Sequence, residues 1–289
     1  MIKIIYLPLF GAILEGAGVI LQKRVLRNHK INSQNYLVYG FLAIVLVMLP
    51  FSFFFWEISP EAKSLTNIII FLSIVIISII ANILIIYSLK KENITEIEPI
   101  RLMQPLFTIL LAFILSFFFV IYSDEGSVLI LLLGLIASLS LVFAHIKKHH
   151  LSFNKYAIAA IISSFLFSIE LVISKFILSY YNSFTFYFLR CLLIFVVSWI
   201  IFHPKLSSIE NKPKIMIFIG GIIWTIYRII MYYGYATVGI VFTTMLFILA
   251  PIFIYLFAWM FLNEKIEWRQ IISSVVIIIC VVIAIIVEI

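Results

Sequence analysis

Charge is what this sequence lacks. Asp, Glu, Lys and Arg make up 11% of its 289 residues against 65% apolar, whereas a soluble domain carries about 25% charge because its surface must meet water. Mean hydropathy is +1.24. These values exclude a soluble enzyme or binding domain and predict an integral, multi-pass protein, placed in the cytoplasmic (plasma) membrane. Cysteine is also scarce. Cys191 and Cys280 each stand inside an apolar run, so they form no disulfide framework and read as small buried hydrophobes. Long polar stretches are missing too, the longest being about a dozen residues around positions 202–215 and 55–64, which leaves no room for a soluble catalytic domain. No nucleophile–base pair, phosphate loop or metal triad is found, so neither an enzyme nor a cofactor is expected. The histidines (His29, His145, His149, His150 and His203) lie in or beside basic loops without acidic or thiol partners, and no metal site is assigned. The formal charge of +7 comes from basic residues scattered one to three at a time, not from a patch, which excludes nucleic acid as a partner.

What is present is a series of apolar segments. A membrane-crossing helix needs about 20 mostly apolar residues in a row, at 1.5 Å each across a hydrocarbon core of about 30 Å. Ten segments qualify, at roughly 4–22, 35–55, 66–89, 98–121, 127–146, 157–180, 184–202, 215–236, 240–262 and 268–288. Their continuous apolar character excludes an outer-membrane barrel. Glu15 interrupts the first segment and no small-residue cleavage site follows it, so it is kept as helix 1 rather than a signal peptide.

The two halves repeat each other. Tyr87, Pro105, Leu106 and Phe107 recur 146 residues later as Tyr233, Pro251, Ile252 and Phe253; Asn32-Ser33 recurs as Asn182-Ser183, and Lys23 as Lys175. Five helices per half is an odd number, so two halves of one fold must cross the membrane in opposite directions, as in secondary transporters. The expected fold is therefore an all-α membrane protein of ten transmembrane helices arranged as two inverted five-helix repeats, residues 1–147 and 155–289. Pro105 and Pro251 are expected to bend helices 4 and 9 from within, because proline removes a backbone donor.

The segment Ala250-Pro251 through Trp259, Asn263-Glu264-Lys265 and Trp268-Arg269-Gln270 resembles the helix 9 to 10 signature of the drug/metabolite transporter superfamily, EamA-like branch. Tyr87-Ser-Leu-Lys90 through Met103-Gln104-Pro105 and Ala112 is similar to the same family's helix 3 to 4 pattern. The resemblance covers essentially the whole chain and implies a transporter, often working in efflux. It departs at helix 1, where Leu14-Glu15-Gly16-Ala17-Gly18 replaces a Trp-rich stretch, and at helix 7, where Arg190 faces Gly40 of helix 2. Gly11-Ala12-Ile13-Leu14-Glu15, eight residues before Lys23, also resembles helix 1 of the small multidrug-resistance transporters, and that likeness implies a proton and cation site at Glu15.

Ionisable residues inside the bilayer mark function, since each costs about 2.5–3.5 kcal/mol at a helix centre and must face a partner or water. Glu15 and Glu170 are the deep acids. Glu170 and Arg228 stand at equal depth in parallel helices 6 and 8 and are expected to pair, either as a structural lock or as part of a site. Glu15 has no basic residue at its depth in helices 1 to 5, which points to a partner in the second repeat, a neutral acid or contact with water. Arg190 and Lys175 suggest a basic vestibule, although Lys23, Lys175 and Arg101 read more simply as long stems reaching a membrane surface. Asn82 and Gln104 either line a cavity or bond between helices. Trp224, Tyr227 and Arg228 share one helix face, suited to an organic solute or to packing. Trp56, Trp199 and Trp268 read as interface anchors.

Loops after helices 1, 3, 5, 7 and 9 hold thirteen Lys or Arg, while the other face holds Lys3 and Lys63. The positive-inside rule then puts both termini outside, whereas the family resemblance implies cytoplasmic termini. The leading expectation is a secondary transporter of small metabolites, amino-acid-like or amphipathic, with protons as coupling ion. Glu15 and Glu170 would carry the proton, Arg190 and Arg228 would hold an anionic group, and the helix 8 aromatics would contact the apolar part. The alternatives are a flippase for a lipid or lipid carrier, and a membrane scaffold without transport.

Overall fold

The computed structural model describes residues 2–26, 31–91, 100–101, 103–145, 154–204, 211–262 and 265–288. Apart from turns and two short 3-10 segments they are α-helical: α1 (Ile2–Leu26), α2 (Ser33–Phe55), α3 (Leu65–Lys91), α4 (Met103–Ser116), α5 (Val128–His145), α6 (Lys155–Leu178), α7 (Ser183–Phe202), α8 (Asn211–Thr237), α9 (Ile240–Phe247), α10 (Ala250–Leu262) and α11 (Trp268–Glu288). In lipid each backbone polar group must find its partner within the protein, which helices achieve locally. Among the described residues, seven helical stretches are long and apolar enough to cross a membrane: α2, α3, α6, α7, α8, α9 together with α10, and α11. Helices α4 and α5 are apolar but shorter, and the expected helix 4 ends at Ser116, ahead of a 3-10 turn over Val120–Glu125.

The repeated residues have local reasons to recur. Asn32 and Asn182 stand at the N-caps of α2 and α7, and Asn182 accepts the Phe184 N–H at 2.9 Å. Asn154 caps α6 in the same way, accepting from Tyr156 and Ala157. Pro251 acts differently from expectation, whereas Pro105 has helical residues, Ile100 and Arg101, ahead of it. Helix 9 is broken at Ile248–Leu249, and Pro251 is the second residue of α10. A proline in a first helical turn forfeits a donor that had no intrahelical acceptor, so it starts a helix rather than kinking one.

The principal helix contacts run between the halves and come in exchanged pairs. Helix α3 packs on α6 and α8 on α1; α4 packs on α6 and α10 on α1; α2 meets α7, and α5 meets α11. Serines of α6 tie it to α3 and α4: Ser163 Oγ donates to the Ala81 carbonyl at 2.7 Å and Ser168 Oγ to that of Gln104 at 2.9 Å. Such hydrogen bonds join helices where no hydrophobic force exists between protein and lipid. Cys191 and Cys280 are free and buried, as their apolar settings suggest.

Helices α2 and α8 approach most closely at Gly221, where a Cβ would lie 2.9 Å from Ala43 Cβ and 3.0 Å from the Ala43 carbonyl carbon. Gly221→Val is expected to force the two helices apart at a cost of about 1–3 kcal/mol. Gly40→Ala, with no atom within 4 Å of its new methyl group, should leave stability unchanged. Thermal unfolding of the purified protein in detergent distinguishes them; equal midpoints would contradict the close crossing.

Candidate functional site

A cavity of about 1020 Å³, its mouth included, lies between the two halves. Its walls come from the ends of α1 and α3, the beginnings of α2 and α4, and the first parts of α6 and α8 (among them Gln22, Tyr36, Gly40, Leu89, Arg101, Ser163 and Gly220). All these helix ends lie on the face of the basic loops. Helix α7 enters from the opposite face and contributes the floor, Tyr187 and Arg190.

Seven of the eight polar and aromatic residues singled out from the sequence line this cavity: Glu15, Asn82, Gln104, Arg190, Trp224, Tyr227 and Arg228. The Tyr227 hydroxyl is hydrogen-bonded to Glu15. Trp224 packs edge-on against Tyr227, with ring centroids 5.4 Å apart, and the Arg228 guanidinium lies 5.5 Å from the Tyr227 ring centre. Asn82 Nδ2 donates to the Ser78 carbonyl one turn back at 2.8 Å. A second cavity, about 610 Å³, continues toward α9 and α10 and is lined by both Pro105 and Pro251. The two cavities share Glu15, Arg101, Gln104 and Tyr227, so the Glu15–Tyr227 bond stands at their partition.

Glu170 is the exception, and its partner corrects the expected Glu170–Arg228 pair. Fully buried below the floor, Glu170 Oε1 lies 3.0 Å from Arg190 Nε and accepts the Tyr232 hydroxyl at 2.8 Å. Arg190 also donates from Nε and Nη2 to Ser78 Oγ, at 3.1 and 2.9 Å. One guanidinium thus joins α7 to α6 and α3, a charge-assisted network that satisfies an ion pair away from water. Arg228 instead donates to the Met231 sulfur at 3.5 Å and turns toward the cavity. Depth along a helix is readable from sequence. Which side of the helix a residue occupies relative to its neighbours is not.

Arg190 and Lys175 do not together form the expected basic vestibule: Arg190 is held by Glu170, and Lys175 is ion-paired with Glu125 rather than reaching a membrane surface. Glu125, not counted among the deep acids in the sequence, is 2% exposed. Its carboxylate also accepts the N–H groups of Ile240 and Val241, at 2.6 and 2.8 Å, and so caps α9 from the other repeat. Gly239 permits this approach: its φ is +100°, and a Cβ there would lie 3.0 Å from Glu125 Oε1. The signal available in the sequence was Lys175 itself, a cation within an apolar helix that needed an acid nearby. Arg101, also expected to reach a surface, lines both cavities.

Glu125, Lys175 and the start of α9 belong to the face opposite the cavity mouth. On that face the α2–α3 and α6–α7 connections are also joined: Thr185 Oγ1 donates to the Phe55 carbonyl at 2.9 Å, and the Ser59 N–H to that of Tyr180 at 2.9 Å. Trp56, Trp199 and Trp268 are 51, 38 and 65% exposed close to helix ends, as interface anchors are. No cluster of metal-ligating side chains occurs among the described residues; His149 and His150 lie outside them.

Comparison with known proteins agrees with this architecture. A model of the EamA-like transporter family matches residues 2–140 and again 154–286. A solved structure described only as the crystal structure of a protein superimposes with a TM-score of 0.72 at 14% identity, covering 98% of this chain and 96% of that one; at such identity the likeness establishes the fold alone. No curated protein matches. A membrane-embedded all-helical chain with two successive matches, each covering one half, belongs to the EamA-like transporter family.

Proposed function

We propose that this protein is a proton-coupled secondary transporter of small amphipathic metabolites in the cytoplasmic membrane, working by alternating access between two inverted five-helix halves. Two successive family matches and the exchanged packing of α3 on α6 and α8 on α1 support this reading, and five helices in each half would set the two copies in opposite directions. The observation that carries the reading is an ionisable cavity built by both halves, reaching one face while the opposite face is tied shut by Glu125, Lys175 and the α9 terminus. By the positive-inside rule the mouth faces the cytoplasm, and efflux is the direction the family implies.

Glu15 is the residue best placed to carry the proton. It borders both cavities, whereas Glu170 is committed to Arg190 and Tyr232. Protonation of Glu15 would change its bond with Tyr227, which stands between the cavities, and so link charge at the partition to its opening. The test is substrate-dependent proton movement in proteoliposomes under an imposed pH gradient, with pooled amino acids and amphipathic solutes. Wild type should move protons with at least one pool and Glu15→Gln should not, while eluting as the same folded species. Proton movement unchanged in Glu15→Gln would remove Glu15 from the mechanism; silence with every soluble pool, accompanied by lipid movement, would favour a flippase.

A further inference from the structure

Three arginines line the main cavity, Arg101, Arg190 and Arg228, against one acid, Glu15. Arg190 is neutralised from behind by Glu170. Arg228 has no such partner: among the described residues no carboxylate lies within ion-pairing distance of it, and its one hydrogen bond goes to a thioether sulfur, a weak acceptor. A guanidinium at this depth in the bilayer is costly unless paired or hydrated, and a fork of five donors matches an oxyanion better than any other ligand. Toward the mouth, the same face of α8 presents Trp224, Gly221, Gly220 and Ile217, facing apolar and aromatic side chains that include Tyr36, Phe41 and Phe167. The eight residues from Arg228 to Gly220 correspond to about 12 Å of helix.

We propose that the cargo is an amphipathic organic carboxylate whose anionic group is bound by Arg228 and whose apolar body, up to about 12 Å long, lies along α8 between Trp224 and the mouth. This rests on the transporter reading and names its substrate class. Gly220, whose nearest neighbour to an added Cβ would be Leu21 at 3.7 Å, leaves room beside the helix, while Gly221 is closed off by Ala43 of α2; Trp224, one turn from Arg228, offers a flat apolar wall. Glu15, on the other side of Tyr227, is positioned to receive a proton as the anion binds, so that the pair crosses with less net charge.

The test is direct binding to the purified full-length protein in detergent, by scintillation proximity, with three radiolabelled probes of one shape: 3-phenylpropionate, 3-phenylpropanamide and 3-phenylpropylamine. The carboxylate is expected to bind about tenfold or more tighter than the amide, the scale of a charge-assisted hydrogen-bonded pair, and the amine weakest. Arg228→Gln should erase the preference, bringing carboxylate and amide binding to the same level, and Arg228→Lys, which keeps the charge without the fork, should retain part of it and serves as the variant if Gln fails to fold. Equal binding of acid and amide, a preference for the amine, a preference that survives Arg228→Gln, or no binding of any probe would each overturn the assignment. Proton movement with other solutes in the Glu15-dependent assay would then leave the transporter reading standing without this substrate class.

Discussion

Replacing Glu125 by Ala should be among the most damaging single changes in this protein, lowering stability by about 3–5 kcal/mol, because it strands a buried cation. Lys175 would lose its counter-ion, and the N–H groups of Ile240 and Val241 their acceptors at the start of an eight-residue helix. The cation would keep only the face of the Tyr122 ring, 5.4 Å away. The second substitution separates the two losses. With Lys175→Met added, the stranded charge is gone and a well-packed apolar group replaces it, which by itself is often neutral; the uncapped amides remain, at about 1–3 kcal/mol. Thermal unfolding in detergent should therefore show a large fall for Glu125→Ala and partial recovery in the double variant. A single variant as stable as wild type would mean that the pair does not hold this face together.

Arg190→Met should cost a similar amount, about 3–5 kcal/mol, by leaving the carboxylate of Glu170 buried with only Tyr232 for a partner. Arg190→Lys should fall between, since an ammonium keeps the charge but cannot reproduce the fork that reaches both Glu170 and Ser78. Arg228→Met is the informative contrast. It faces the cavity and holds no carboxylate, so its removal should change stability by less than about 1 kcal/mol while affecting ligand binding. Comparable destabilisation by Arg190→Met and Arg228→Met would favour the pairing expected from depth alone and contradict the arrangement described.

The fold and the site were legible in the sequence to different degrees, for physical reasons. Apolar run length and the recurrence of Asn32-Ser33 and Pro105 as Asn182-Ser183 and Pro251 point to a duplicated helical membrane protein, because lipid permits few alternatives to helices and caps recur with the elements they start. The cost of charge in a bilayer similarly picks out Glu15, Arg190 and Arg228. Partner choice was less accessible. Glu170 and Arg228 share a depth, but Arg190, arriving on a helix from the other face, has the side that meets Glu170. Glu125 stood in a turn whose burial depends on the distant α9, a contact no local pattern records. The break at Ile248–Leu249 was hidden by unbroken apolar sequence, since hydropathy reports the environment of a segment and not the direction of its axis.

The most direct measurement is sided cysteine labelling. With Cys191 and Cys280 replaced by Ala, Gly40→Cys introduces a thiol on the cavity wall at a position with open space around it. In vesicles of known orientation, a membrane-impermeant maleimide should label it from the basic-loop face and not from the other, as a carrier open to one face and sealed at the opposite face requires. Equal labelling from both faces would describe a channel, and labelling from neither a closed, dry core without a transport cavity; either result would contradict a one-sided carrier.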